Sequence, residues 1–139
     1  MKIHNIKKTI LNYILVIVFI SVSCKTSGDE KQESNESFSE FRAEFYSDTI
    51  FQKNRVLFPV PGINTDRMEY NDTIYYWQKE KWLFLMDMSK IEGMKIVEGS
   101  TDTTIYEKMH RENSNFDVNV YYKLIDKKWY LVRLEVYNM

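Results

Sequence analysis

The stretch that decides the fold is residues 116–137, FDVNVYYKLIDKKWYLVRLEVY. Every second residue from Phe116 to Leu124 is apolar, and the residues between them are mostly polar. This period of two is typical of a strand that buries one face. The run DKK at 126–128 predicts a tight turn, after which 129–137 returns as a second strand. One face of that second strand should carry Tyr130, Val132, Leu134 and Val136.

Shorter β-rich segments precede this hairpin. Residues 74–77 and 82–86 are rich in aromatic and aliphatic side chains and flank a charged turn, so we expect two strands here. Residues 95–98 predict a weaker strand between two glycines. The polar run 100–104 predicts a loop or a hairpin tip. The strands are therefore expected to pair in an antiparallel, strongly curved sheet.

Two helices are expected before the strands. Ser37 and Glu40 have the spacing of a capping box, which predicts a helix that starts near Phe38. Asp48 is placed to cap a second short helix. The first helix should have one aromatic face, formed by Phe38, Phe41 and Phe45.

Two prolines end the helical region. Pro59 and Pro61 lack amide donors and favour extended backbone over residues 56–60, which indicates an edge strand or a loop. The expected fold class is α+β, with two N-terminal helices packed on a strongly curved antiparallel sheet.

Residues 38–62, FSEFRAEFYSDTIFQKNRVLFPVPG, resemble the opening of an uncharacterised Bacteroidota lipoprotein family, a domain of unknown function. Its pattern is an aromatic helix followed by F-Q-x-x-R-[IV]-x-F-P-[LV]. The chain fills this pattern with Phe51, Gln52, Arg55, Val56, Phe58, Pro59 and Val60. The spacing of Trp77 and Trp82 and the strand KWYL at 128–131 are also similar. The resemblance implies a nuclear-transport-factor-2-like cone around a pocket, and it implies no activity because the members are uncharacterised.

The start of the chain has the pattern of an export signal. Lysines precede an apolar run from Ile10 to Ile20, whose 11 residues are fewer than the roughly 20 that span a bilayer. Residues 21–24, SVSC, resemble a lipobox, although the family pattern prefers Leu at Ser21. There are two alternatives. Signal peptidase I would cleave the chain and release a soluble protein, or the segment would remain as an uncleaved anchor. We expect lipidation of Cys24, because this only cysteine has no disulfide partner.

The predicted organisation is a signal peptide at 1–23, a lipidated cysteine and flexible tether at 24–36, and a single α+β cone domain at 37–139. Removing 1–23 takes away three of the 19 basic residues and none of the 20 acidic ones, which leaves a net charge of −4. Such a chain has no basic stripe, so nucleic acid is not an expected partner. We expect an exported protein, lipid-anchored in the cell envelope at the outer membrane, on its periplasmic or surface-facing side.

Arg55 is the most informative single charge of the domain. It lies between Phe51 and Phe58 and fits two roles. It would bind an anionic ligand from inside the cone, or it would pair with an acid or with carbonyl groups at the helix–strand corner. Gln52 is interpreted in the same two ways.

Aromatic residues form the second candidate site. Tyr75, Tyr76, Trp77 and Trp82 would stack on a glycan, or they would pack in the core. Alternation places Tyr75 and Trp77 on one face and Tyr76 on the other, so some of the four must be core residues.

Residues for catalysis or for metal binding are not evident. His110 lies in a charged setting that favours a solvated histidine over a general base, and no nucleophile, zinc, calcium or phosphate-loop pattern occurs. We therefore expect no cofactor and no enzyme activity. The leading hypothesis is a non-catalytic module that binds a small molecule or glycan. The alternative is a protein-interaction or structural subunit of an envelope complex.

The anchor can be tested at Cys24. Cys24→Ser should abolish acylation and membrane retention, because only the thiol accepts the diacylglyceryl group. Incorporation of labelled palmitate, followed by fractionation, measures both effects. A variant that still takes up palmitate would contradict the lipoprotein hypothesis.

Overall fold

The computed structural model describes residues 34–138, in which two short helices precede a six-stranded sheet. The helices are α1 (Phe38–Phe45) and α2 (Thr49–Asn54). The strands are β1 (Val60–Asn64), β2 (Tyr75–Trp77), β3 (Met94–Ser100), β4 (Thr104–Arg111), β5 (Phe116–Ile125) and β6 (Lys128–Asn138). Single 3-10 turns lie at Lys79–Lys81 and Met88–Lys90. The predicted signal peptide, Cys24 and most of the tether lie outside the described residues. Among residues 34–138, no helix has the length and apolar character needed to cross a membrane.

The sheet is mixed, with the strand order β2-β1-β6-β5-β4-β3. All neighbours are antiparallel except β1 and β6, which are parallel. The expectation of a fully antiparallel sheet is therefore wrong. The parallel pairing starts before β1, where the Leu57 amide donates to the Leu131 carbonyl and the Leu131 amide donates to the Arg55 carbonyl. The chain that leaves α2 therefore already runs parallel to β6 before β1 begins at Val60.

The β5–β6 hairpin is the centre of the sheet and confirms the predicted turn. Ile125 pairs with Lys128, and the two residues between them, Asp126 and Lys127, have positive φ angles of 47° and 66°. This left-handed pair gives a tight turn that matches the twist of the two strands. The core face of β5 is buried as the alternation predicts, through Val118, Val120 and Tyr122.

A β-bulge changes the predicted face of β6. Tyr122 pairs with Leu131 but Tyr121 pairs with Arg133, which leaves Val132 as the extra residue. The inward positions therefore shift by one residue across the bulge. Before it, Trp129 and Leu131 are buried, and after it, Leu134 is buried. The prediction that Tyr130 and Val132 share a face with Leu134 is wrong for this reason.

Both helices start where the sequence predicts. Asp48 caps α2 by accepting hydrogen bonds from the amides of Ile50 (2.7 Å) and Phe51 (2.8 Å). Ser37 precedes α1 but its side chain makes no cap bond, because its hydroxyl interacts with the Ser39 hydroxyl at 2.9 Å instead. The capping-box contact is therefore wrong, although the helix start is confirmed.

The aromatic face of α1 packs on the sheet as predicted. Phe41 and Phe45 are buried, and their ring centroids lie 5.6 and 5.8 Å from that of Tyr122 on β5. Phe38 is half-buried and contacts the rings of Tyr122 and Trp129 edge-on. These contacts place α1 over β5 and β6.

Two local predictions between the helices and β3 are wrong. Residues 82–86 form no strand, because the backbone of Leu85 bonds to the side chain of Gln52 rather than to a neighbouring strand. The edge strand or loop predicted around the two prolines is wrong only from Val60 on: residues 57–59 form no strand, whereas Val60 and Pro61 lie in β1, an interior strand. Residues 75–77 and 94–100 are strands, so the other two predicted segments are confirmed.

Gly62 allows the close approach of β1 and β6. A Cβ atom at this position would lie 1.5 Å from the Leu134 carbonyl oxygen and 3.1 Å from the Trp77 ring. We expect Gly62→Ala to lower the free energy of unfolding by about 3 kcal/mol or more, because backbone cannot move aside as a side-chain end can. Urea unfolding measures the change. The control is Gly93→Asn, since Gly93 has a φ of 78°, which Asn tolerates, and no atom within 4 Å of its Cβ position. Equal losses in the two variants would contradict this role of Gly62.

Candidate functional site

An open cavity of about 390 Å³ lies beside the β1–β2 end of the sheet. One side is formed by residues of β1, β2 and β6, and the other by the irregular segment Trp82–Leu85, which we call the wall segment. Its volume falls within the range of small-molecule pockets, roughly 300–1,000 Å³. The lining residues are Asn64, Arg67, Tyr75, Trp77, Lys81, Trp82, Leu83, Phe84, Leu85, Leu134 and Val136.

Three aromatic residues singled out by the sequence meet at this cavity. Tyr75 and Trp77 leave the same side of β2 and pack edge-to-face, with ring centroids 4.7 Å apart. Tyr76, between them, is half-exposed and does not line the cavity. Trp82 packs edge-on against Phe58 at 5.2 Å. The alternation argument for β2 is therefore confirmed.

Gln52 does not line the cavity but holds its wall segment in place. The side chain is 1% exposed. Its Nε2 donates to the carbonyls of Phe45 (3.0 Å) and Leu85 (2.9 Å). Its Oε1 accepts from the Trp82 indole (3.1 Å) and from the Leu85 amide (2.8 Å). All four bonds available to a primary amide are made inside the protein.

Arg55 is used at the corner between α2 and the sheet. Its two terminal nitrogens donate to the two carboxylate oxygens of Glu36 at 3.0 and 2.6 Å, and one also donates to the Trp129 carbonyl at 3.1 Å. Its guanidinium lies over the Phe51 ring, 4.8 Å from the centroid. Glu36, the last residue of the predicted tether, also accepts from the Trp129 amide at 2.7 Å. Of the two roles considered for Arg55, the structure shows the pairing with an acid.

A buried carboxylate that the sequence reading did not single out lies under α1. Glu107 is 1% exposed and projects from β4 among core residues. Its Oε1 accepts a hydrogen bond from Arg42 of α1. The hydroxyls of Tyr46 and Tyr122 each lie 3.1 Å from its Oε2 and 2.7 Å from each other. Asp87 lies 3.3 Å from Arg42 and completes the cluster.

The electrostatics of this cluster keep both tyrosines neutral. Burial raises the pKa of Tyr122 well above its ordinary value of 10.0, and the neighbouring Tyr46 and Glu107 raise it further. The pKa of Tyr46 is raised for the same first cause, together with the charge of Glu107. Both phenols therefore remain hydrogen-bond donors at physiological pH. None of these residues lines the cavity.

Some polar residues were not singled out from the sequence. Arg67 lines the cavity from the turn after β1, and Lys81 from the 3-10 turn Lys79–Lys81, which lies in the predicted charged turn; at neither place does a periodic pattern mark the direction of a side chain. Glu107 lies on β4, a strand that the sequence reading did not predict. The signal was present there, since buried Ile105 and Met109 alternate about Glu107.

His110, on the same strand, is partly exposed and interacts with Asp117. Within residues 34–138, no cluster of three or more His, Cys, Asp or Glu residues is arranged to hold a metal ion.

The comparisons with known proteins fit this architecture. A family model with the description "-like" matches residues 36–139. A cystatin-like protein from Bacteroides caccae ATCC 43185 is 24% identical with a TM-score of 0.54, over 74% of this chain and 77% of its own. An ntf2-like protein from Bacteroides fragilis NCTC 9343 is 18% identical with a TM-score of 0.55, over 77% of this chain and 49% of its own.

A further structure from Bacteroides uniformis ATCC 8492, determined by NMR, is 21% identical with a TM-score of 0.52, over 76% of this chain and 78% of its own. At these identities the likeness shows the fold alone. No curated protein matches the chain. The family resemblance expected from the sequence is confirmed, as is an α+β fold in which two short helices precede a sheet; the sheet itself has six strands and is mixed.

The role of Gln52 can be tested by an isosteric change. Gln52→Glu replaces a donor group with a carboxylate oxygen that faces the carbonyls of Phe45 and Leu85. We expect a loss of about 3 kcal/mol in the free energy of unfolding, and a red shift of the summed tryptophan emission as Trp82 becomes more exposed to water. Gln78→Glu is the matched control, because Gln78 is exposed and its side chain makes no cap bond. Similar urea midpoints for the two variants would contradict the assignment.

Proposed function

This chain belongs to the uncharacterised family whose model matches residues 36–139, and we propose that it is a membrane-anchored envelope lipoprotein whose domain binds a small ligand without catalysis. The single observation that carries the proposal is the open cavity of about 390 Å³ with Tyr75, Trp77 and Trp82 in its lining. Large aromatic rings contribute most to stability when they are fully covered. A concave site that leaves three of them accessible is typical of a ligand pocket.

The cavity is preformed rather than a gap between loose loops. Three hydrogen bonds of Gln52 hold the wall segment, the fourth ties the same side chain to Phe45 of α1, and the lining also includes the buried Leu134 of the central hairpin. A pocket with fixed walls loses little conformational entropy when it binds. This rigidity supports recognition of a defined small molecule.

A strongly curved, cone-like sheet is part of the proposal. The bulge at Val132 supports it, because bulges bend a strand and increase its local twist. The cavity supports it as well, since it is lined both by the sheet and by the wall segment. The helices and the wall segment would then close the cone from one side.

The anchor is proposed from the sequence of the leader. A basic start, an apolar run and Cys24 support export followed by lipidation, and the acidic tether supports a place at the outer membrane. Glu36 supports a defined end of the tether, because its carboxylate is bound by Arg55 and by the Trp129 amide. The domain would therefore begin at Glu36, and the preceding segment would link it to the lipid anchor.

The absence of catalysis is inferred from the lining. The side chains that line the cavity include no carboxylate, imidazole or thiol. The buried acid Glu107 and its two tyrosines satisfy one another away from the cavity. A general acid or base must reach the reacting group within hydrogen-bond distance or through one water. These groups therefore act in support of the fold.

A second candidate function is docking to another envelope protein. It is favoured by two apolar residues of the same region, Leu83 and Met86, which are 81% and 59% exposed. Exposed apolar side chains that cluster at the rim of a groove are typical of an interaction surface. Binding of a protein there would cover the cavity rather than fill it.

The ligand hypothesis is tested with a glycan array and the full chain purified in detergent. We expect binding that is lost in Trp77→Ala, because this ring lines the cavity, and retained in Tyr76→Ala, its exposed neighbour on the other side of β2. Circular dichroism confirms that both variants fold. Equal binding by the two variants would exclude the cavity as the site, and no binding to any sugar would exclude the glycan version of the hypothesis.

A further inference from the structure

We propose that the ligand of this cavity is an anion carried on a flat or apolar body, such as a ring that bears a carboxylate. The inference rests on the proposed function of the cavity and names the chemical class that the cavity selects. It follows from the charges of the lining, from hydrogen-bond donors that the protein leaves unused there, and from the apolar walls.

Both charged residues of the lining are cationic. Arg67 and Lys81 line the cavity, and no Asp or Glu does so. The acids that adjoin them in sequence, Asp66 and Glu80, are outside the lining. The Asp66 carboxylate receives the Asn138 side-chain amide at 3.2 Å. A cavity with two positive charges and no negative one favours an anion by electrostatic complementarity.

The two cationic groups have no hydrogen-bond or ion-pair partner in the described part of the protein. Within the described part of the chain, neither the Arg67 guanidinium nor the Lys81 ammonium has a hydrogen bond, ion pair or ring contact. Three other arginines of the described residues are paired, Arg42 with Glu107, Arg55 with Glu36 and Arg133 with Glu135, whereas the exposed Arg111 has no side-chain partner either, and it lies outside the lining. Charges at the cavity therefore remain available for a ligand.

The indole groups show the same pattern. The Trp82 indole donates to Gln52, and the Trp129 indole donates to the Glu36 carbonyl. The Trp77 indole, which belongs to the lining, has no acceptor among residues 34–138. An indole N–H is a donor only, so it adds a third group that would bind an acceptor oxygen.

The remaining lining defines the body of the ligand. Apolar side chains of the wall segment and of β6 complete the cavity beside the aromatic rings, namely Leu83, Phe84, Leu134 and Val136. A flat or apolar part of the ligand would pack against these walls, and its anionic group would bind Arg67 and Lys81. The volume of about 390 Å³ accommodates a compound of one or two rings.

The charge preference should be moderate in size. Arg67 and Lys81 are exposed, so solvent and salt screen their attraction for a ligand. A charge-assisted contact in such a setting corresponds to a factor of about ten in affinity. The preference should also weaken as the salt concentration rises.

The test compares two acids with their neutral counterparts on the full chain in detergent. The pairs are 2-naphthoate with 2-naphthamide, and glucuronate with glucose, which distinguish an aromatic source of the carboxylate from a sugar source. Tryptophan fluorescence and calorimetry measure affinity at low and high salt. We expect at least one acid to bind about tenfold more tightly than its neutral partner at low salt. The double variant Arg67→Gln/Lys81→Gln should lose this preference.

The matched control is Lys53→Gln/Lys79→Gln, which removes the same two charges from exposed positions outside the lining. It should keep the preference. Equal affinity for acids and neutral partners would overturn the anion inference while leaving a ligand pocket in place. An equal loss in both double variants would overturn it as well, because net charge alone would then explain the effect. If none of the four compounds binds, the inference fails, and the proposed function then depends on the array result.

Discussion

The hydrogen bonds of one buried amide, Gln52, hold the wall segment of the cavity against the end of α1. Residues 82–85 have no partner strand, so the backbone groups of the partly buried Leu85 need partners from elsewhere, because an unpaired buried polar group is costly. The Gln52 side chain satisfies both backbone groups of Leu85 and the Trp82 indole, and it also bonds the end of α1 at Phe45. No charged or shorter side chain supplies two donors and two acceptors at this reach. The wall of the cavity therefore exists because glutamine occupies this position.

Two glutamates extend this arrangement to the rest of the domain. Glu36 joins the entry of the chain to α2 and β6 through Arg55 and Trp129, and Glu107 joins α1 to β4 and β5. A carboxylate withdrawn from water, fully as in Glu107 or partly as in Glu36, is costly unless every oxygen is paired. Here each carboxylate oxygen has a donor from a different element, so each acid contributes to the positioning of the helices more than to net stability. Both helices are therefore held in fixed positions relative to the sheet.

The sequence predicted local features well and features set by tertiary contacts poorly. The alternation of residues 116–124 and the cap at Asp48 are local signals, and both are confirmed. The bulge at Val132 leaves no mark in composition, because an extra residue in a strand only shifts the period. Residues 82–86 have the composition of a strand, but the backbone of Leu85 is bound by the side chain of Gln52, 33 positions earlier. Three of the four candidate aromatics, Tyr75, Trp77 and Trp82, line the cavity, whereas Phe84 and the two cations, which lie in turns with no period to reveal them, were not singled out.

The distribution of unused groups separates what holds the fold together from what the cavity offers to a ligand. The interior acids are fully engaged, and Gln52 and Arg55, which the sequence presented as ligand-binding candidates, are consumed by internal contacts. The same residue types left unpaired would have been costly only where they are buried. At the cavity, donors face solvent and carry no such penalty, so Arg67 and the Trp77 indole can stay unpaired without loss of stability. Retaining donors but no acids at an aromatic cavity costs the fold nothing, which is why the proposed ligand class rests on the lining and not on the more conspicuous buried charges.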